Sequence, residues 1–307
     1  MRYLKDIRTL MAAVLTMTAA TLTSCSEDPV ETGFEDPTEY FKPESGATDS
    51  TSVIRNNFYD KYGSYLLFTD TLQHYYTGTN NEGEDVYFTE MLDLTYYVGQ
   101  TNSSTATYGF TYLETMAQRL AAVEYMEKYI LPHTKGSMKP FSWLLTYRIN
   151  GTTNMGGTTS PYAVAGQRCA AVALYYIFTA NRSDKQKQNL AQRILVALIG
   201  KLANNNADAF ADFLSVSAKY YDTQMTTATS LSSSEEMALL NNAGFINSAG
   251  HLYGYYYPSQ SDDLNQYATL LLQNTLEQIN TKYANYPLIL QKAQLMHDTM
   301  ESLGYVF

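Results

Sequence analysis

The sequence predicts an α+β domain whose second half is dominated by helices, and three observations carry that prediction. Apolar residues recur at helical spacing over Tyr112 to Ile130, Asn189 to Leu202, Asp263 to Tyr283 and Tyr286 to Leu303. Short runs rich in Tyr, Phe, Val and Leu, at Tyr65–Phe68, Val86–Val98 and Phe141–Ile149, read as strands. After residue 52 there is no internal repeat and no break in composition, so 52–307 reads as one domain.

The elements follow in order. Residues 1–24 open with Arg2, Lys5 and Arg8, continue through an apolar, Ala- and Thr-rich stretch from Leu10 to Leu22, and end before Cys25. That stretch is short for a membrane span of roughly 20 residues and fits a signal-peptide core. Leu22-Thr23-Ser24-Cys25 resembles the lipobox of bacterial lipoproteins, in which the Cys is lipidated and becomes the first residue. Ser26-Glu27-Asp28 resembles the surface-export signal of Bacteroidota lipoproteins, which implies an outer-membrane, lipid-anchored chain facing the cell surface. Residues 25–51, rich in Glu, Asp, Pro, Thr, Ser and Gly, read as a flexible tether. Val53, Ile54 and Phe58 then mark a short helix ending near Gly63. Asn80 to Asp85 is a turn, Pro132 stops the helix that begins near Tyr112, and Asn150-Gly151 closes a strand. Tyr162 to Phe178 fits strand or helix equally, Leu190, Ile194, Leu198 and Leu202 lie four apart on one helix face, and Met225 to Ser234 reads as a polar loop.

Charge excludes some functions. Twenty basic against 30 acidic residues give a net charge of -10, and beyond residue 24 the balance is 17 against 29. Phosphate binding needs clustered Lys and Arg, so nucleic acid is not an expected partner. Two cysteines make no disulfide framework; with Cys25 carrying lipid, Cys169, in Ala/Val/Leu surroundings, reads as a buried and inert thiol. The membrane is the expected partner, through acyl chains worth about 0.8 kcal/mol per buried CH₂.

Local catalytic motifs are missing. There is no G-x-S-x-G, no phosphate-binding glycine loop and no dinucleotide fingerprint. The histidines are His74, His133, His251 and His297, with no two within five residues, so no local zinc pair exists. The adjacent acids Glu235-Glu236 and Asp262-Asp263 do not face one another on a helix and form no acid/base pair. They read as helix-start residues, the second pair behind Ser261, where the macrodipole favours negative charge. The run His251-Leu-Tyr253-Gly-Tyr255-Tyr256-Tyr257-Pro258 stands out in a chain with 28 tyrosines. Its rings either line the core or, at Tyr253, Tyr255, Tyr256 and Tyr257, stack on a glycan or peptide.

Several stretches resemble a family of Bacteroidota zinc-binding metallopeptidase lipoproteins, the substrate import-associated zinc metallohydrolases found with TonB-dependent nutrient-import systems. They are Ile54–Gly63, Asp212–Tyr221, Gly244–Ala249, the helix from Asp262, and the terminus Leu303-Gly-Tyr-Val-Phe307. The resemblance implies a zincin-like metallopeptidase fold, with a TonB-dependent transporter and its binding lipoprotein as partners. The family's centre opens with H-E-x-x-H, two zinc-binding histidines on one helix face with a general-base Glu between them. Counting back from Asp212 places that motif at Ala197-Leu198-Ile199-Gly200-Lys201. Ala197 then stands for the first ligand, Leu198 for the base and Lys201 for the second ligand, and Gln266 replaces the Glu of the downstream acidic motif. Ala cannot ligate, Leu cannot take a proton, and a protonated Lys would repel a cation. The resemblance thus implies a degenerate, non-catalytic domain without a cofactor. The alternatives are an active zinc hydrolase assembled from distant residues such as His251, His297 and Asp263, and a lipoprotein that binds glycan or peptide through its Tyr-rich loop.

Overall fold

Asp49 starts the first helix. Its carboxylate accepts hydrogen bonds from Thr51 N (3.0 Å) and Ser52 N (3.1 Å), and Gly63, at φ +60°, ends the helix. The computed structural model describes residues 39–307 except 44, 93, 95–106, 153–155, 180, 228–229 and 249–253, and Tyr40–Phe307 forms one unit. The signal peptide, Cys25, His251 and Tyr253 lie outside the described residues.

In chain order the elements are α1 (Ser50–Tyr62), β1 (Tyr65–Leu67), β2 (Thr71–Thr79), β3 (Asp85–Met91), β4 (Thr107–Tyr112), α2 (Met116–Tyr129) and β5 (Ser142–Thr152). Then follow β6 (Thr158–Thr159), β7 (Ala163–Ala165), β8 (Ala170–Ala173), α3 (Tyr175–Phe178), α4 (Asp184–Asn205) and α5 (Ala211–Ser215). Last come α6 (Ser233–Asn242), α7 (Gln260–Gln273), α8 (Leu276–Lys282) and α9 (Pro287–Ser302). The α+β prediction holds, with helices filling the second half.

β5 organises the sheet. Its first half pairs in parallel with β1 and β8, and its second half pairs antiparallel with β4 and β6. Thr146 is paired with both Tyr112 and Ala173, so β4 and β8 flank β5 on opposite sides. β7 adds antiparallel to β8 and forms the sheet's edge. Side chains alternate across the pleat. Leu66, Trp143, Leu145, Ala170 and Val172 meet the helices in the main core, whereas Tyr65, Leu67, Leu144, Ala171 and Ala173 point to the other face with Phe41, Leu92, Leu94 and Cys169. Phe41 is 1% exposed, and its carbonyl accepts a hydrogen bond from Arg55 Nη2 (2.7 Å). The folded part therefore begins by Tyr40, and the tether read over 25–51 is shorter than the composition suggested, because a single buried aromatic leaves no periodic signal.

Other boundaries move for identifiable reasons. β5 runs through Asn150-Gly151 to Thr152, since strands on both sides satisfy its backbone there. Tyr162–Phe178 holds both conformations, as β7, β8 and α3. The helix expected over Asp263–Tyr283 is two helices, because Thr275 caps a new one. Its side chain accepts from Gln278 N (3.2 Å), while Gln278 Oε1 accepts from Thr275 N (2.9 Å). Ser232 and Glu235 form the same box and start α6 inside what read as a polar loop.

The C-terminal residues close the fold by backbone pairing. Lys135 N donates to Gly304 O (2.9 Å), Met138 N to Leu303 O (3.0 Å) and Val306 N to His133 O (3.1 Å). Gly304 has φ +101°, and a Cβ there would sit 2.0 Å from Lys135 O. Gly304→Ala is thus expected to lower stability by about 1–3 kcal/mol. Urea denaturation checks this, and an unchanged midpoint would show that the tail contributes little.

Candidate functional site

The helix expected to carry the lost metal motif is α4. Ser183 caps it, with its hydroxyl accepting from Gln186 N (3.3 Å) and Gln186 Oε1 accepting from Ser183 N (3.0 Å). Leu190, Ile194 and Leu198 are buried, so the four-residue stripe read from the sequence is the helix's core face. Gly200 lets α4 approach α7 closely: a Cβ there would come within 2.2 Å of Asn265 Oδ1.

Beside this turn lies a cleft of about 370 Å³, bounded by α4, by the turn from edge strand β7 into β8, and by residues 137–141. Leu198, Lys201 and Leu202 enter it from the helix, Gln167 from the turn, and Met138 and Phe141 from the opposite wall. Ala197 is half-buried and lies outside the lining. Gln266 is half-buried; its Nε2 lies 3.5 Å from Ser248 O, and its buried Oε1 has no hydrogen-bond partner among the described residues. Of the four positions, Leu198 and Lys201 line the cleft and Ala197 and Gln266 do not; they offer an isobutyl, an ammonium, a methyl and an amide group respectively.

Of the alternative zinc site, His251 lies outside the described residues, and Asp263 and His297 share no group of potential metal ligands among the described ones. Asp263 is sealed in the core. His297 sits on α9 with its Nδ1 3.3 Å from Asp298 Oδ1 and 3.7 Å from Glu301 Oε2, its ring stacked 4.2 Å from that of Phe307. These three residues are the group among the described ones able to hold a metal, and the two carboxylates are exposed. His133 Nδ1 meets Val306 O (2.5 Å), and His74 stacks on Tyr87 (5.0 Å).

Asp263 belongs instead to an ion pair that sequence reasoning missed. Its Oδ2 accepts from Lys292 Nζ (2.5 Å) and from Tyr221 Oη (2.6 Å), with both charged side chains fully buried. Lys292 Nζ also donates to Ser217 Oγ (3.2 Å), which passes a hydrogen bond to Ala243 O (2.8 Å). The rings of Phe213, Phe245, Tyr267 and Tyr221 surround the ammonium, their centroids at 4.6, 4.7, 4.9 and 5.7 Å. Burial pushes the Asp263 carboxyl up and the Lys292 amine down, each shift opposed by the partner. Ser259, not Ser261, caps α7; it puts Asp262 on the solvent side and turns Asp263 inward. Asp212–Tyr221, Gly244–Ala249 and the start of α7, the segments that carried the family resemblance in this half, all contribute to this network. The available signal was Lys292 itself, an ammonium at the helical spacing of Ile289, Ala293, Met296 and Met300.

The tyrosine run is not an exposed platform. Tyr257 is buried, its ring against Phe245 (5.4 Å) and Tyr220 (4.9 Å). Tyr255 is half-buried, its hydroxyl accepting from Leu231 N (2.8 Å), and Tyr256 is half-buried in a bridge to Gln224. Backbone bonds to Asp222, Thr223 and Met225 hold the 254–258 segment, with Tyr257 in the core and Tyr255 and Tyr256 partly exposed. A group of exposed rings lies elsewhere, at Tyr75, Tyr76, Tyr87 and Phe88 on the β2–β3 hairpin. Cys169 is buried, and desolvation pushes its thiol up to about 12, so it stays protonated at neutral pH.

Comparison with family models, with characterised proteins and with solved structures gives no match to this chain.

Proposed function

We propose that this chain is a surface-anchored lipoprotein, held to the outer membrane through Cys25, whose domain is a degenerate, zinc-free relative of the zincin-like metallopeptidases. It serves a binding or accessory role beside an outer-membrane nutrient-import system, with a TonB-dependent transporter and its binding lipoprotein as partners. The supporting observation is the cleft flanked by α4 and the antiparallel edge strand β7. A helix alongside a sheet edge is a suitable frame for a metal-dependent hydrolytic site. Here Leu198 and Lys201 occupy the wall where a base and a ligand belong. An isobutyl group and an ammonium neither bind zinc nor activate water.

The anchoring half of the proposal is tested by protease treatment of intact cells. Loss of the chain from treated cells, and its release in soluble form when Cys25 is changed to Ala, is the expected result. Survival of the chain in treated cells contradicts surface display. The non-catalytic half predicts no cleavage of a casein substrate above background, with or without added zinc. Chelator-sensitive cleavage that co-purifies with the chain would restore the active-hydrolase reading.

A further inference from the structure

Charge is unevenly spread along this acidic chain. Between Phe141 and Ala207 there are seven basic residues and one acid, Asp184, in a protein of net charge -10. Asp184 is already engaged, by Lys128 Nζ (3.2 Å) and Tyr129 Oη (2.8 Å). Three arginines of this stretch, Arg148, Arg182 and Arg193, meet no carboxylate within 4 Å among the described residues. They lie over tyrosine rings instead: Arg148 over Tyr175 (4.4 Å), Arg182 over Tyr176 (4.0 Å) and Arg193 over Tyr162 (5.4 Å). Arg193 Nη1 also donates to Tyr162 Oη (3.2 Å). Tyr175 and Tyr176 meet edge to face, and Tyr162, Tyr176 and Arg193 line one cavity, so the three guanidinium groups stack on neighbouring rings. Arg168 behaves differently, pairing with Glu90 (3.3 Å).

Of these residues Tyr162, Tyr176 and Arg193 line a cavity of about 170 Å³ beside the first half of α4, where Gln186 and Asn189 supply further polar groups over Leu190. A guanidinium stacked by its face keeps its in-plane N–H edge for a bidentate acceptor. Phenol hydroxyls and side-chain amides suit sugar hydroxyls, and an apolar floor with ring edges suits a sugar's C–H face. Arg193 and Lys201 are eight residues apart on α4, about 12 Å, so this cavity is separate from the cleft near Lys201. It also stands independently of the metallopeptidase reading.

We propose that the Tyr162–Tyr176–Arg193 cavity binds an acidic saccharide unit, its carboxylate held by Arg193, with Arg182 stacked on Tyr176 adding positive charge beside it, and its hydroxyls held by the amides and phenols. The test is calorimetric titration of the full chain in detergent with sodium glucuronate, glucose and inorganic phosphate. Glucuronate is expected to bind at least tenfold more tightly than glucose and than phosphate. Arg193→Gln and Arg182→Gln should each weaken it about tenfold without lowering the melting temperature. Arg193→Lys, which keeps the charge but loses the fork, should fall between wild type and Arg193→Gln, and Arg168→Gln should leave binding unchanged. No heat with glucuronate overturns the proposal. So does phosphate binding as tightly as glucuronate, which would mark a general anion site, and so does unaltered binding in both glutamine variants.

Discussion

Lys292→Met is expected to destabilise the protein by about 3–5 kcal/mol at pH 7, because it leaves Asp263 as a buried carboxylate without its counter-ion. Asp263→Leu should cost a similar amount by stranding the ammonium among four rings. The double variant Asp263→Leu/Lys292→Met should recover most of the loss, since desolvating two charges offsets much of what their attraction returns. The pH dependence of Lys292→Met has a definite sign. Burial already raises the Asp263 carboxyl, and Lys292 is the largest influence opposing that rise. Removing Lys292 raises it further. A group raised on folding contributes stability that is fully present below its unfolded value of 3.8 and lost as pH rises through the folded value. Relative to wild type, the single variant is therefore expected to be less impaired at pH 4 than at pH 7. Urea denaturation at both pH values, on all three variants, checks this. A single variant within about 1 kcal/mol of wild type at pH 7 would show that the pair is not closed to water.

The second large effect is a gain. Ala197→His, Leu198→Glu, Lys201→His and Gln266→Glu together install two imidazoles at i and i+4, the general base between them, and a carboxylate at the α4–α7 crossing. The variant is expected to bind about one zinc per chain with a Kd of about 1 μM or tighter, roughly 8 kcal/mol at the standard state. Without metal it should be less stable than wild type, since Leu198 is 5% exposed and a Glu there buries charge. Zinc at a hundred times Kd should return about 2.7 kcal/mol. A folded variant that binds no zinc would show that α4 and α7 do not frame a metallopeptidase-type centre.

Much of the fold was legible because its signals are local. The helical spacing of α2, α4 and α9, the buried run of β1 and the turn at Asn80–Asp85 each depend on residues near one another in the chain. β2 escaped notice because an exposed hairpin with aromatic rings on both faces shows no alternation. β4 and the extension of β5 depend on pairing across some 40 residues. Phe41 was read as tether because its burial comes from the far face of the sheet. At the proposed site, the residue types at 197, 198, 201 and 266 were readable. Whether the tyrosines near 255 were exposed was not, because that is decided by contacts with 220–231 and Phe245. The Asp263–Lys292 pair joins two helices and left only one trace, a lysine in an apolar stripe.

The measurement that bears most directly on the degenerate-site reading is the zinc stoichiometry of the unaltered chain, purified without chelator and then titrated by calorimetry. The account predicts no zinc retained and no binding at micromolar concentrations. About one zinc per chain, bound at micromolar concentration or tighter, would contradict it and return the α4 cleft to the hydrolases.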